Sequence, residues 1–226
     1  MNNITNWLLA IIIVLLMGGG VYWIYSSQNA VYNTSSASSN ATTTDSDTTV
    51  ANQNLTPLST PVSAEDYKIG PDDAAVVLVE YADFQCPACL QLSPVFKSMV
   101  DKFPGKVQFV YRHFPLSYHS LAKDAAKIAD AAGKQGKFYE MIQFYFDNPS
   151  FSLESAYEHA LALGLDTERM KSEIANGDYD AAIEADIASG NSSGVAGTPT
   201  IFMNGRQLPW EETTDLENTI KKELGV

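Results

Sequence analysis

The stretch Cys86-Pro87-Ala88-Cys89 limits what this chain can fold into more than any other, because two kinds of periodicity meet there. Before it runs Ala75 to Tyr81 (AVVLVEY), short, β-branched and nearly all apolar, the pattern of a strand buried on both faces. After it, Leu90, Phe96, Met99 and Val100 repeat at helical spacing as far as Lys102. These are the only 2 cysteines in 226 residues. They are too few for a disulfide-stapled scaffold, and no second pair completes a four-cysteine zinc site.

Placed there, Cys86 opens a helix, where unpaired N–H groups and the macrodipole favour an anion. Its thiol is expected to fall from about 8.5 into the range of roughly 3.5 to 7.5. Cys89, one turn on, can reach Cys86 to close a small ring, and Pro87 in the first turn gives up an N–H that would be unpaired anyway. A stabilised thiolate is also a good leaving group, so the pair is expected to exchange disulfides with other molecules. Two alternatives stand beside this. A passive disulfide over so short a loop removes little chain entropy. A metal site would need two further ligands from His113, His119, His159 or carboxylates, which show no ligand spacing.

Two features elsewhere favour the redox reading. Thr198-Pro199 enters an apolar run, Thr200 to Met203, and a cis Thr-Pro turn beside the cysteines is expected. Glu80 is a lone carboxylate in the run before the motif. It is either a strand-end charge reaching water or a desolvated acid that passes a proton to and from Cys89. The three histidines read as core or surface residues.

Charge divides the chain. No charged side chain precedes Asp45, and the net charge is −13, from 14 basic and 27 acidic residues. Such an acidic chain without a Lys/Arg run would repel phosphate backbones, so nucleic acid is not an expected partner. After a short tail (1–6), residues 7–25 form an uncharged apolar stretch with Trp7, Tyr22, Trp23 and Tyr25 at its ends, the pattern of an uncleaved transmembrane anchor. The rival reading, a cleaved signal peptide, would normally carry a basic residue before the run and a shorter apolar stretch. Residues 26–63 are rich in Ser, Thr, Asn and Ala and read as a flexible linker. The remaining 64–226 is long enough for one domain with a core.

Within that domain, Lys106 to Phe114 is a second strand candidate. Helices are expected over Ser120 to Ala132 and Lys137 to Phe146, from Leu153 to Leu163 with Ser152 as cap and Gly164 as stop, after a further cap at Asp166, and over Tyr179 to Ser189. Asn204-Gly205 signals a hairpin between Thr200 to Met203 and Arg206 to Leu208, and Trp210 to Leu224 is expected as a closing helix.

The segments VLVEYAD, FQCPAC, YRHFPL, KDAAKIADAAGKQGKFYEM and VAGTPTIFMNGR, in that order, resemble the DsbA-like thiol–disulfide oxidoreductases, and most the membrane-tethered BdbD-like branch. The resemblance covers nearly all of 62–226. It implies an α/β thioredoxin fold with a helical insertion (about 116–190) between the second strand and the cis-proline loop. By it, Cys86 is the nucleophilic and Cys89 the resolving cysteine. Pro199 is the cis-proline, the backbone of Thr198 pairs with an extended substrate chain, and Glu80 is the buried acid before the motif. The chain departs from the pattern at Tyr139, where many relatives carry tryptophan, and at Ala88, where the most oxidising members carry histidine.

The activity implied is disulfide formation in extracytoplasmic proteins, with no cofactor beyond the redox-active Cys86–Cys89 disulfide. The implied partners are reduced, extended protein substrates and an integral-membrane, quinone-linked protein of the DsbB or vitamin-K-epoxide-reductase type. An inside N-terminus would put the catalytic domain outside the cytoplasm. Two other readings remain: a membrane-anchored reductase or isomerase of the same fold, and a non-catalytic surface module with a static disulfide.

Overall fold

A computed structural model describes residues 56–226. The expected tail (1–6), anchor (7–25) and most of the expected linker (26–63) lie outside these residues. Among the described residues no helix is long and apolar enough to cross a membrane.

The apolar run before the cysteines forms β2 (Val76–Ala82), paired in parallel with β3 (Val107–His113) from Val76↔Val107 to Ala82↔His113. A parallel pair needs a crossover, supplied by α1 (Pro87–Lys102). On the other side of β2 lies antiparallel β4 (Thr200–Met203), followed by β5 (Arg206–Gln207). A short strand absent from the sequence reading, β1 (Tyr67–Ile69), adds antiparallel to β3, giving the order β1-β3-β2-β4-β5. β2 is thus central, which is why its sequence is apolar on both faces.

Alternation along β2 divides the core. Val76, Leu78 and Ala82 join the larger cluster, which holds Cys86, Cys89, Phe96 and the helical insertion. Val79 and Tyr81 join a smaller cluster with Val110, Phe114 and Phe202. By the same period of two, Glu80 points into the cysteine side.

The insertion contains α2 (Ala122–Gly133), α3 (Phe138–Asp147), α4 (Leu153–Ala162), α5 (Thr167–Ala175) and α6 (Asp180–Ser192). Two of these starts follow from local capping chemistry. Ser152 and Ser155 form a reciprocal capping box at α4, and the Asp166 side chain accepts from Arg169 N at α5. Asn204 and Gly205 have φ of 49° and 80°, the left-handed pair that a two-residue hairpin requires. Asn204 Oδ1 also accepts from Val77 N at 2.9 Å, tying the hairpin to β2.

Two expectations change. The closing helix is broken at Asp215 (φ −111°, ψ 44°) into α7 (Trp210–Thr214) and α8 (Leu216–Leu224). Thr213 Oγ1 and Thr214 Oγ1 donate to the carbonyls of Pro209 and Glu211, the hydroxyl competition that makes threonine a poor helix residue. Residues 57–61, placed in the linker by composition, lie against the domain. Leu58 N donates to Gly205 O, and Ser59 N to Ser193 Oγ. The cause is Arg112, buried in β3, whose guanidinium takes Asp66 at 2.7 and 3.1 Å and the carbonyls of Thr60 and Pro61. A buried cation must be paired, and here backbone oxygens of the strap complete the pairing.

Candidate active site

The turn from β2 into α1 is Asp83-Phe84-Gln85-Cys86. The buried Asp83 carboxylate accepts from Gln85 N and Leu116 N, each at 2.7 Å, and lies 2.8 Å from His119 Nδ1. Gln85 Oε1 accepts from Leu121 N at 2.6 Å. The turn and the 114–121 loop are thereby held as one unit. Sequence reasoning missed this frame: Asp83 and Gln85 lie inside the quoted segments, but the Leu116, His119 and Leu121 groups they hold are more than 30 residues away in sequence.

Cys86 caps α1, with φ −76° and ψ 118°, and Pro87 begins the helix. Both cysteines are free thiols, Cys86 6% exposed and Cys89 fully buried. The Thr198–Pro199 bond is cis, and the Cys86 thiol donates to Thr198 O at 3.1 Å. The cysteine pair and the Thr-Pro loop, separated by more than a hundred residues, therefore meet as the sequence suggested.

The electrostatics split the two sulfurs. A hydrogen bond from the Cys89 thiol lowers the Cys86 pKa to about 5. Burial opposes this, and the Thr198 side chain with the N–H groups of Cys89 and Ala88 assists. The buried Thr198 hydroxyl has no other partner among the described residues, so it is free to face the sulfur once Cys86 has lost the proton it gives to Thr198 O. Burial, donation to Cys86 and the nearby Glu80 push Cys89 far above the ordinary thiol range. One cysteine is a thiolate at neutral pH and the other holds its proton.

Glu80 is fully buried and accepts from Ser93 Oγ at 2.7 Å on one oxygen, while Oε2 has no partner among the described residues. Burial raises its pKa to about 8, with the Ser93 bond lowering it and the Cys86 charge raising it. The reading of Glu80 as a strand-end charge reaching water does not hold. No cluster of three or more His, Cys, Asp or Glu residues suited to a metal occurs among the described residues. His113 pairs with Asp130 at 2.9 Å in the core, and His159 stacks on Phe144.

Residues 62–222 match the thioredoxin family. The chain belongs to that family. Within it, the solved structures it resembles include BdbD from Bacillus subtilis in the oxidised form (TM-score 0.64, 22% identity, covering 71% of this chain and 94% of that one). DsbA2 from Pseudomonas aeruginosa is another (TM-score 0.56, 26% identity, 72% and 96%). The thioredoxin-family domain thus has a DsbA-type fold, helical insertion included. Curated relatives include the Na(+)/H(+) antiporter NhaA 3 of Salinispora tropica, 36% identical over 161 residues, which are 70% of this chain. The NhaA antiporter of Herminiimonas arsenicoxydans is 35% identical over 153 residues. The chain spans only 24% of the length of either relative.

Proposed function

We propose that this protein catalyses thiol–disulfide exchange and forms disulfides in extracytoplasmic proteins. The observation that carries the reading is the opposed pair of sulfurs, Cys86 ionised at a helix start beside Thr198 and Cys89 buried and protonated behind it. A substrate thiolate attacks Sγ of oxidised Cys86, the bond to Cys89 breaks, and a mixed disulfide forms. Cys89 leaves as a thiolate and takes the proton of the Glu80 carboxyl. A second substrate thiolate attacks the substrate sulfur, releasing the product and Cys86 as a thiolate. The substrate loses two electrons and the cysteine pair gains them.

The low pKa of Cys86 favours the oxidising direction, since whatever stabilises the reduced pair makes its disulfide a stronger oxidant. The Thr198 backbone is the proposed docking edge for an extended substrate. Reoxidation by a quinone-linked membrane protein of the DsbB or vitamin-K-epoxide-reductase type, anchoring through residues 7–25 and a linker ending near Pro57 belong to the same proposal. Such a tether would raise the effective concentration of the domain at that partner.

The test is transfer of the disulfide to a reduced, unfolded protein. The oxidised wild type should transfer it, and Cys86→Ser should not. Activity retained by that variant would refute the assignment. The equilibrium constant with glutathione then separates an oxidase from a reductase.

A further inference from the structure

The substrate brings its own obstacle to the exchange. An ordinary thiol with a pKa of about 8.5 is only about 3% thiolate at pH 7, and the thiolate is what attacks a disulfide. Stabilising the Cys86 anion does nothing for that incoming sulfur. A base beside Cys86 would.

The sheet brings one candidate to the cysteine turn. β2 and β3 run parallel as far as Ala82↔His113, so the turn to Cys86 and the 114–121 loop leave the same end of the sheet. β4 runs the other way and enters from that end, with Thr200 against Tyr81. Along this edge the turn has Thr198 on one side and the 114–121 loop on the other. His119 stands in that loop. Its Nδ1 lies 2.8 Å from Asp83 Oδ2, and Oδ1 of the same carboxylate accepts from the N–H of Gln85, the residue before Cys86. A single carboxylate therefore spans from the imidazole to the turn.

The pair has the chemistry of a base and the acid that orients it. The Asp83 side chain is fully buried, whereas that of His119 is 17% exposed. Both Asp83 oxygens already accept from backbone N–H groups, so Nδ1 carries the ring proton and the neutral ring keeps its lone pair on Nε2. Nε2 has no partner among the described residues. A buried carboxylate behind Nδ1–H fixes the tautomer and stabilises the imidazolium that forms when Nε2 takes a proton. The titratable groups around the ring are Asp83 at the end of β2, Cys86 at the start of α1 and Tyr118 on its own loop, which meets it edge-on at 4.6 Å. As a mere tie for the loop His119 would be redundant, because Leu116 N and Leu121 N already bind Asp83 and Gln85.

We propose that His119 is a catalytic base of the exchange, oriented by Asp83, and that it takes the proton of the substrate thiol. The inference deepens the exchange reading above and rests on it. As the substrate sulfur attacks Cys86 Sγ, its proton passes to His119 Nε2. The Cys86–Cys89 bond breaks and its electron pair leaves on Cys89. The imidazolium then gives its proton to water. The second substrate thiol loses its proton in the same way as its sulfur attacks the first and expels Cys86 as a thiolate.

The test compares two thiols reacting with the oxidised protein at pH 7: a cysteine peptide, and an aromatic thiol that is already ionised. Full supply of thiolate is worth at most about thirtyfold for the peptide, so the peptide-to-aromatic rate ratio should fall about tenfold in His119→Ala. His119→Gln, whose amide can still donate to Asp83, should lose as much, and free imidazole should raise the ratio in His119→Ala. Amide exchange across 115–121 in His119→Gln should match the wild type. A wild-type ratio in both variants, or one restored by glutamine, would overturn the base and leave His119 a structural tie. A wild type that oxidises neither thiol would instead refute the exchange reading itself.

Discussion

Replacing Glu80 with glutamine should shift stability in the variant's favour by an amount that grows with pH. The carboxyl has a folded-state pKa of about 8 against an ordinary 4.5, chiefly because it is buried. Its proton is therefore held more tightly folded than unfolded, so its contribution is fully present below pH 4.5 and is lost as pH rises through 8. Each unit is worth about 1.4 kcal/mol, which puts the loss at ~3 kcal/mol by pH 7 and ~5 kcal/mol above pH 8. Glutamine keeps the acceptor for Ser93 but adds amide donors without partners, a pH-independent cost of about 1–3 kcal/mol. The difference between pH 5 and pH 8 is then free of that offset. Denaturant unfolding of the reduced wild type and Glu80→Gln, at several pH values, should give a stability difference that moves in favour of glutamine by several kcal/mol between pH 5 and pH 8. Parallel curves would refute the claim that Glu80 is a buried neutral acid.

Other substitutions test the rest of the account. Cys89→Ser should leave Cys86 able to attack but unable to resolve, so mixed disulfides should accumulate on non-reducing gels; their absence would contradict the assignment of roles. Asp66→Asn breaks the 2.7 Å pair with buried Arg112 and should cost about 3 kcal/mol in denaturant unfolding, where a surface pair would cost under about 1. Asp83→Ala leaves the N–H groups of Gln85 and Leu116 without their acceptor, so it should cost about 1–3 kcal/mol and speed amide exchange across 115–121. Unchanged exchange there would mean that Asp83 does not hold the loop.

What was legible in the sequence was whatever is decided locally. The strand-to-helix change around Cys86, the serine cap of α4 and the Asn204-Gly205 turn each depend on residues a few positions apart, and all three stand in the structure. Thr198-Pro199 and Glu80 were recognised because the cysteines gave a reason to look for a carbonyl and an acid nearby. What escaped was non-local. The strap at 57–61 (PLSTP) looks like tether because it carries two prolines and one large apolar side chain, and contacts distant in sequence, the buried guanidinium from β3 among them, explain its place. β1 is too short to announce itself, and it depends on Tyr67 stacking on Phe138. Ser93 lies mid-helix like any solvent-facing serine, and Tyr139 stood out only as a departure from the tryptophan of many relatives. Only the fold brings both beside Glu80.

The measurement that bears most directly on the whole account is the pH titration of thiolate absorbance in the reduced protein, with Cys86→Ser as the blank. A single transition near pH 5, lost in the blank, is the predicted result. A transition at the free-thiol value of about 8.5 would mean that the helix start, Cys89 and Thr198 do not hold an anion at Cys86, and the exchange chemistry would lose its basis.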